Sequence, residues 1–421
     1  MNGSDDRPRV GMILRGFFPR DIRVEKEARS LAAAGYDVHL LCLGRPNERE
    51  QELVGPLTVH RIHREAQYNA VYRTIKTARY LLTLQDVIWE REISRFVDAA
   101  GVDILHVHDL PLVRTAQTVA ADRRLPVVAD LHENYPEAAR QWRKGMASPR
   151  RIIQNTFTPI TRLKRLEQEA VRHVDRVLAT TPEGRRHYVE DCGADPLIVH
   201  IVSNTVDLET FDDTATPVPG FEEEFVVSYV GSFGPHRGLE TAIDAMPALI
   251  ESVPNAHLLL VGSAGEDAYD RALRDRVARR GLEDQVTFTG WVDFEDVPRY
   301  VAASDVATVL HRDNPHTGTT VPHKLFQYMA LRTPVVVSDV DPLARVVDRA
   351  DAGRIVLDGD TSSLASALAS LATDEEMRHE LGVNGRAAVR RRYNWRREAE
   401  RLVAAYQGLT DERSKSVEGR V

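Results

Sequence analysis

Two cysteines in 421 residues are too few for a disulfide framework. Cys42 lies in the apolar run VHLLCL and Cys192 in the polar turn DCGAD; neither has a metal-ligand spacing, and both read as incidental. No apolar run approaches the roughly 20 residues that span a bilayer. The start, MNGSDDRPRV, lacks the apolar stretch of a secretory leader, so a cytoplasmic location is expected. A basic excess is missing too. The net charge of −8 argues against a general nucleic-acid binder, which needs a basic face to neutralise several phosphates. Lysine is scarce, six of 55 basic residues, which fits GC-rich coding or a salt-loving source equally well.

What is present is ordinary for a folded chain: 43% hydrophobic and 28% charged residues leave no room for a mostly disordered reading. The length exceeds one comfortable core and suggests two domains. Short β-branched runs ending in Gly, Asp or His alternate with amphipathic stretches of helix length, which implies parallel sheets built from βαβ units. The alternation occurs twice. The first series is Val10–Leu14, Val38–Leu43, Ile104–His108, Val127–Asp130, Val177–Thr180 and Ile198–Val202; the second is Phe225–Val230, His257–Val261, Val286–Thr289, Val306–Leu310, Pro334–Ser338 and Arg354–Leu357. Between them, Asp207–Glu224 is acidic, contains Pro and reads as an interdomain linker. The expected domains are therefore 8–206 and 222–392. WRREAERLVAAY, within a helix of about 393–408, completes the first, and the tail after it is expected to fray.

Several segments could carry chemistry. After Phe225–Val230 comes GSFGPHRGLETAIDAM, in which Gly231, Gly234 and Gly238 allow a tight strand-to-helix turn with open amides, and Arg237 adds a fork of donors. Such a turn serves with or without a phosphate. In HRDNPHTGTTVPHKLFQYMALRTPVVVSD, the amides of Gly318, Thr319, Thr320 and Val321 would precede a helix whose first turn holds Pro322 and Lys324, a second anion site or else a capped surface helix. In PVVADLHENYPE, His132 follows the carboxyl end of a strand, where ligands meet open α/β sheets, with Glu133 beside it. His106, His108 and Asp109 (HVHD) invite a metal reading. We reject it on the grounds that adjacent strand residues point to opposite faces and no third ligand is evident. The loop LRGFFPRDIRVEKEARS leads to a helix capped by Asp21, so that Arg15, Gly16 and Arg23 are expected on the acceptor side of a cleft. The segment 140–165 mixes many arginines and lysines with Trp142, Ile152, Ile153 and Phe157. It suggests contact with an anionic membrane surface or a lipid-linked acceptor, against the alternative of a solvated helical face.

Taken together, these segments resemble the family 4 retaining glycosyltransferases from about Val10 to Tyr406, and specifically a subgroup with HEN and KLF-type motifs. The resemblance rests on the order of VGSFGPHRGLETAIDAM, HLLLVGSAG, VTFTGWV, VPRYVAASDV, VPHKLFQYMALRTPVVVSDV and YNWRREAERLVAAY. It implies the α/β GT-B fold, with two Rossmann-like domains whose parallel sheets face across a cleft and a final helix that crosses back. It also implies transfer of a sugar from a nucleoside-diphosphate donor to a sugar or lipid-linked acceptor, with no catalytic metal, no cofactor beyond the donor as co-substrate, and no nucleic acid. His132, Arg237 and Lys324 take the catalytic roles. Gly231, Ser232, Gly234, Gly262, Gly290, Gly318, Thr319, Thr320, Val321 and Gln327 bind the donor. Contact with the inner face of a membrane would run through 140–165.

Two departures from the family pattern stand out. Ser232 replaces the arginine that usually follows the first glycine of the phosphate loop, and Thr319 and Gln327 fall where two glutamates eight positions apart are usual. Gln327 can still offer an amide oxygen to a ribose hydroxyl. The expected products are surface polysaccharide, glycolipid or protein glycan. A catalytically weakened nucleotide-sugar-binding partner subunit and a nucleotide-sugar 2-epimerase are the rival readings.

Overall fold

The computed structural model describes residues 7–409 except 20, 64–78, 145, 147, 213 and 266, so the tail 411–421 lies outside the described residues. The chain divides into two compact units, residues 1–203 with 398–421 and residues 204–397. Among the described residues no helix is long and apolar enough to cross a membrane.

The first unit is built on eight strands: β1 (Arg9–Phe17), β2 (Asp37–Leu43), β3 (Gln51–Val54), β4 (Leu57–Ile62), β5 (Ile104–His108), β6 (Val127–Leu131), β7 (Arg176–Ala179) and β8 (Val199–Ile201). Their order is β3-β4-β2-β1-β5-β6-β7-β8. Every pair is parallel except β3 with β4. That edge hairpin is a strand pair the sequence reading missed. β3 is a four-residue strand with two exposed and two half-buried side chains, and the buried Arg61 of β4 is compensated by Glu52 at 2.8 Å and Glu48 at 3.4 Å, so neither strand shows a clean apolar run.

The second unit has β9 (Phe225–Val230), β10 (Ala256–Val261), β11 (Val286–Gly290), β12 (Val306–Val309), β13 (Val335–Ser338) and β14 (Gly353–Val356), all parallel, in the order β11-β10-β9-β12-β13-β14. β9, β10, β12 and β13 are buried along their whole length, which requires helices on both faces and explains why they read as unbroken Val/Leu runs. Each sheet reverses its order once, between β1 and β5 and between β9 and β12. The crevice outside the carboxyl ends of such neighbours is where open α/β sheets receive ligands.

The linker reading needs correction. Residues 204–224 belong to the second unit. Phe211 is 2% exposed and stacks edge-on to Phe294 with centroids 5.6 Å apart, and its carbonyl accepts from Arg386 at 3.0 Å. An acidic, proline-bearing composition hid a single aromatic anchor. The helix Trp395–Tyr406 begins in the second unit and, from Glu398 on, belongs to the first, where the Glu398 carboxylate accepts the Ser203 amide at 2.8 Å.

Candidate active site

In the second unit, the chain leaves β9 at Gly231, whose φ of 127° no residue with a side chain adopts comfortably. A Cβ there would lie 2.8 Å from the Lys324 Nζ, so the missing side chain is the space the ammonium occupies. Gly262 repeats the logic after β10: its φ is 132°, and a Cβ would fall 2.1 Å from the Gly231 carbonyl oxygen. Gly262 also bridges Gly290 at the end of β11. In the turn itself the Gly231 and Phe233 amides bond to Val261 and Ser263, which leaves those of Ser232 and Gly234 open. The helix Leu239–Ser252 then starts at Gly238 with no side-chain cap, so its positive end is available to an anion.

Lys324 sits in the first turn of the helix His323–Ala330, which also has no side-chain cap. It is 9% exposed, and its Nζ lies 3.4 Å from the centre of the Tyr229 ring with no hydrogen-bond acceptor. Burial, reinforced by the Arg237 charge, holds its pKa well below the usual lysine value. Arg237 meets His311 Nε2 at 3.0 Å, and its own Nε is buried without a partner. His236, half-buried and facing Arg237, His316 and Lys324, is pushed down to about 3 by desolvation and those charges; the buried His311 is depressed well below the ordinary value for the same reasons. Among the described residues no carboxylate pairs with Lys324 or Arg237. This is a pocket of cations and neutral imidazoles waiting for negative charge.

The sequence placed the second anion loop somewhat wrongly. Thr317–Thr319 forms a 3₁₀ turn, Pro322 caps the helix rather than opening its first turn, and the amides of Gly318, Thr319 and Thr320 bond back to Asn314, His316 and Thr317. Of the four expected amides only that of Val321, itself 4% exposed, has no acceptor in the loop. The Thr319 hydroxyl also turns back, to the His316 carbonyl at 3.0 Å. Gln327 is 9% exposed, one turn along from Lys324.

In the first unit, β6 ends in Asp130 and Leu131, and His132 follows. Its Nε2 meets the Asp130 carboxylate at 2.8 Å and its Nδ1 faces Asp109 at 3.4 Å. Burial alone would lower its pKa, but the Asp109 and Asp130 carboxylates together push it up to about 10, so the ring is an imidazolium at neutral pH. Asp109, after β5, has φ 63° and ψ 151°, a backbone conformation that costs on the order of 1–3 kcal/mol. Its amide is held by the Asp130 carbonyl at 2.9 Å.

Arg23 corrects a second expectation. It is 2% exposed and does not face an acceptor. It grips Asp130 through two nitrogens at 2.9 and 2.6 Å, pairs with Glu27 at 2.9 Å and donates to the Val202 carbonyl at 2.9 Å. The reasoning used against HVHD is overturned as well. His106 and His108 are two apart, share one face of β5, and meet Glu27 and Asp130 so closely that one ligand atom from each of the four lies within 4.8 Å of the others. Helix Ile22–Ala33 supplies Glu27 from outside the motif, which sequence spacing could not reveal. The cation serving these carboxylates is the Arg23 guanidinium, and His106 is engaged from its other side by the Tyr406 hydroxyl of the final helix. Arg15 and Gly16 lie on the end of β1, with the Arg15 guanidinium 3.9 Å from Asp86. The Glu133 carbonyl accepts from the Tyr188 hydroxyl at 3.0 Å. Asp130, His236 and His311 were missed, and Asp109 was weighed only as a metal ligand; Asp130 lies at the end of β6 and the others in the loops after β5, β9 and β12.

Two all-but-parallel Rossmann-like sheets with chemistry at both switch points define a GT-B glycosyltransferase. The model described as Glycosyltransferase Family 4 matches residues 22–210, and that described as Glycosyl transferases group 1 matches 212–388, most of the chain between them. Both matches are to glycosyltransferase models, and the chain is a glycosyltransferase. It is 25% identical over 323 residues to the phosphatidyl-myo-inositol mannosyltransferase of Mycolicibacterium smegmatis, covering 76% of this chain and 75% of that one. Its fold matches sucrose-phosphate synthase from Thermosynechococcus elongatus with a TM-score of 0.77 at 22% identity over 96% of this chain and 100% of that one. Anabaena HepE in complex with UDP and glucose matches with a TM-score of 0.70 at 16% identity, over 95% and 99%.

Two predictions follow from the opposite electrostatics of the units. Lys324→Met removes a buried cation with no partner and is expected to raise the stability of the ligand-free protein by about 1 kcal/mol or more, read by denaturant unfolding. Asp130→Asn removes one of the two carboxylates that compensate the buried Arg23 and is expected to cost about 3–5 kcal/mol. The second variant also carries a pH signature. In the wild type the stability held by the His132 charge is complete below the ordinary histidine pKa and is lost as pH rises through about 10. In Asp130→Asn that loss moves to lower pH, which unfolding curves across the alkaline range will show.

Proposed function

We propose that this chain transfers a sugar, with retention, from a nucleoside-diphosphate donor to a hydroxyl acceptor, and that the diphosphate is held at the carboxyl edge of the second unit's sheet. The observation that carries the reading is a pair of cations that no carboxylate meets among the described residues, the buried Lys324 and the half-buried Arg237, beside two uncapped helix starts. Lys324 and Arg237 neutralise the phosphates, the open amides of Ser232, Gly234 and Val321 bond to their oxygens, and Gly231, Gly262 and Gly290 keep the floor free of side chains. Gln327 offers its amide to the nucleoside ribose. In the first unit Asp130 holds the His132 Nε2, which fixes the ring for a sugar hydroxyl at its outward edge. No protein metal is needed in this scheme, because the two side-chain cations meet the leaving charge.

In the reaction the bond between the anomeric carbon and the phosphate oxygen breaks, and its electron pair leaves on that oxygen. The same oxygen takes the acceptor proton, and the acceptor oxygen bonds to the carbon on the face just vacated. With Thr319 in place of a glutamate, charge developing on the sugar is met by the departing diphosphate. Preorganised donors aimed at a leaving group contribute a few kcal/mol each, which suffices.

The acceptor class rests on a separate feature. Trp142, Ile152, Ile153 and Phe157 are exposed by 43, 63, 54 and 47% on helices Tyr135–Lys144 and Ser148–Phe157. Part of the basic charge around them is spent internally: Arg140 and Lys164 pair with Glu137, and Arg143 is buried against Asn155 and Thr158. An apolar face with a remaining basic rim suits a peripheral membrane surface and a lipid-linked acceptor in surface-glycan or glycolipid assembly. The Mycolicibacterium smegmatis relative, a phosphatidyl-myo-inositol mannosyltransferase, agrees with that class.

Calorimetric titration with UDP, GDP and ADP and their sugar conjugates tests the donor site. One nucleotide series should bind, and Arg237→Ala and Lys324→Ala should each weaken it roughly 10- to 100-fold. Binding that is indifferent to both substitutions removes the proposal.

A further inference from the structure

Outside the sites described so far, the first unit holds a second cluster of metal-ligating groups. The helix Ile160–Arg172 contributes Glu167, and a single π-helical turn, His187–Asp191, followed by Cys192, contributes the rest. In an α-helix residues five apart diverge around the axis; here the Cys192 amide bonds to the His187 carbonyl at 3.1 Å, and the wider turn brings residues 187 and 192 to one side. That is why the sequence showed no ligand spacing for Cys192. Sγ of Cys192 lies 3.5 Å from Nε2 of His187 and 3.6 Å from Oε2 of Glu167, and the latter two atoms are 3.2 Å apart.

These separations can be compared with those a metal imposes. Zinc bonds of about 2.3 Å to sulfur and about 2.0–2.1 Å to nitrogen and oxygen, at tetrahedral angles, separate the ligand atoms by about 3.5, 3.5 and 3.3 Å. The triangle is therefore already the base of a zinc tetrahedron. A second observation points the same way. Glu167 is 2% exposed, its Oε1 has no hydrogen-bond partner, and among the described residues its only salt-bridge partner is His187. The other face of His187 is oriented by Asp191, whose carboxylate meets Nδ1 at 2.9 Å, the outer carboxylate that fixes a metal-bound imidazole. Asp191 is 71% exposed and His187 14%, which leaves an entry path and a water position on that side.

We propose that Glu167, His187 and Cys192 bind one zinc ion, with water as the fourth ligand. Thiolate, carboxylate and neutral imidazole bring two negative charges to a divalent cation, and the thiolate selects a borderline-soft ion over magnesium or calcium. Binding moves the thiol proton, and any proton on His187 Nε2, to solvent. The ion staples the helix Ile160–Arg172 to the π-helical turn, and so fixes Tyr188, whose hydroxyl donates to the Glu133 carbonyl beside His132. Its role is structural and independent of the nucleotide reading.

The full chain is stripped with a chelator, dialysed and titrated with zinc, and with cobalt(II) as a coloured probe. The expected result is one equivalent bound, a raised melting temperature, and near-ultraviolet thiolate-to-cobalt absorption beside the visible bands of a four-coordinate site. Cys192→Ser abolishes the thiolate absorption, while Cys42→Ser, altering the other cysteine, retains it; His187→Gln, at the partly exposed edge, lowers zinc affinity at least tenfold without loss of fold. No binding at equimolar metal, leaving a protonated His187 paired with Glu167, overturns the proposal. So does binding that persists unchanged in Cys192→Ser or His187→Gln, which would put the ion elsewhere.

Discussion

Two positive charges at the edge of the second sheet, with nothing negative to meet them, set the terms for the rest of the molecule. An ammonium taken out of water costs several kcal/mol unless it is paired, and Lys324 recovers only the fraction that a Tyr229 ring at 3.4 Å supplies, on the order of 1–2 kcal/mol. The fold tolerates this because the surrounding parts are rigid. Four strands buried along their length hold the loops at their ends, and two glycines at positive φ let backbone and ammonium approach where any side chain would collide. An anion that binds there recovers energy the empty fold has given up, which is how a preorganised site turns stability into affinity.

The first unit follows the reverse rule. Its buried cation is fully compensated: Arg23 has two carboxylates and a carbonyl, and Asp130 in turn fixes His132. The outward edge of that network is His132, whose Nδ1 faces a strained Asp109. The final helix adds Tyr406 to the same network through His106, so the return of the chain to the first unit is tied to the residues under His132. The second unit thus holds uncompensated charge, and the first a fixed imidazole.

Much of the architecture was legible because buried parallel strands leave an unmistakable trace. FVVSYV, VATVL and PVVVS are runs that only a doubly covered sheet requires, and they mark β9, β12 and β13 to within a residue. The β3–β4 hairpin escaped because its one buried arginine is balanced by a glutamate rather than announced by apolar residues. Arg237 and Lys324 were conspicuous as charges in glycine-flanked turns. Their dependence on His236 and His311 was not, because those contacts join loops some 75 residues apart. Arg23 was misread for a simpler reason: an arginine near a strand end looks like a ligand contact until its carboxylates are located, and Glu27 and Asp130 lie four and 107 positions away. Cys192 was dismissed as a residue of a polar turn without ligand spacing, and the π turn that brings it to His187 leaves no mark in the sequence.

The central claim is that the buried Lys324 is the seat of the donor diphosphate, and proton uptake on binding tests it most directly. Burial and the Arg237 charge depress the lysine in the free protein, and a bound diphosphate raises it again by favouring the charged form. Calorimetry of the cognate nucleoside diphosphate in buffers of different ionisation enthalpy, from neutral to mildly alkaline pH, should show net proton uptake that grows with pH in the wild type and vanishes in Lys324→Met. Uptake that is absent, or that survives unchanged in Lys324→Met, would contradict the account.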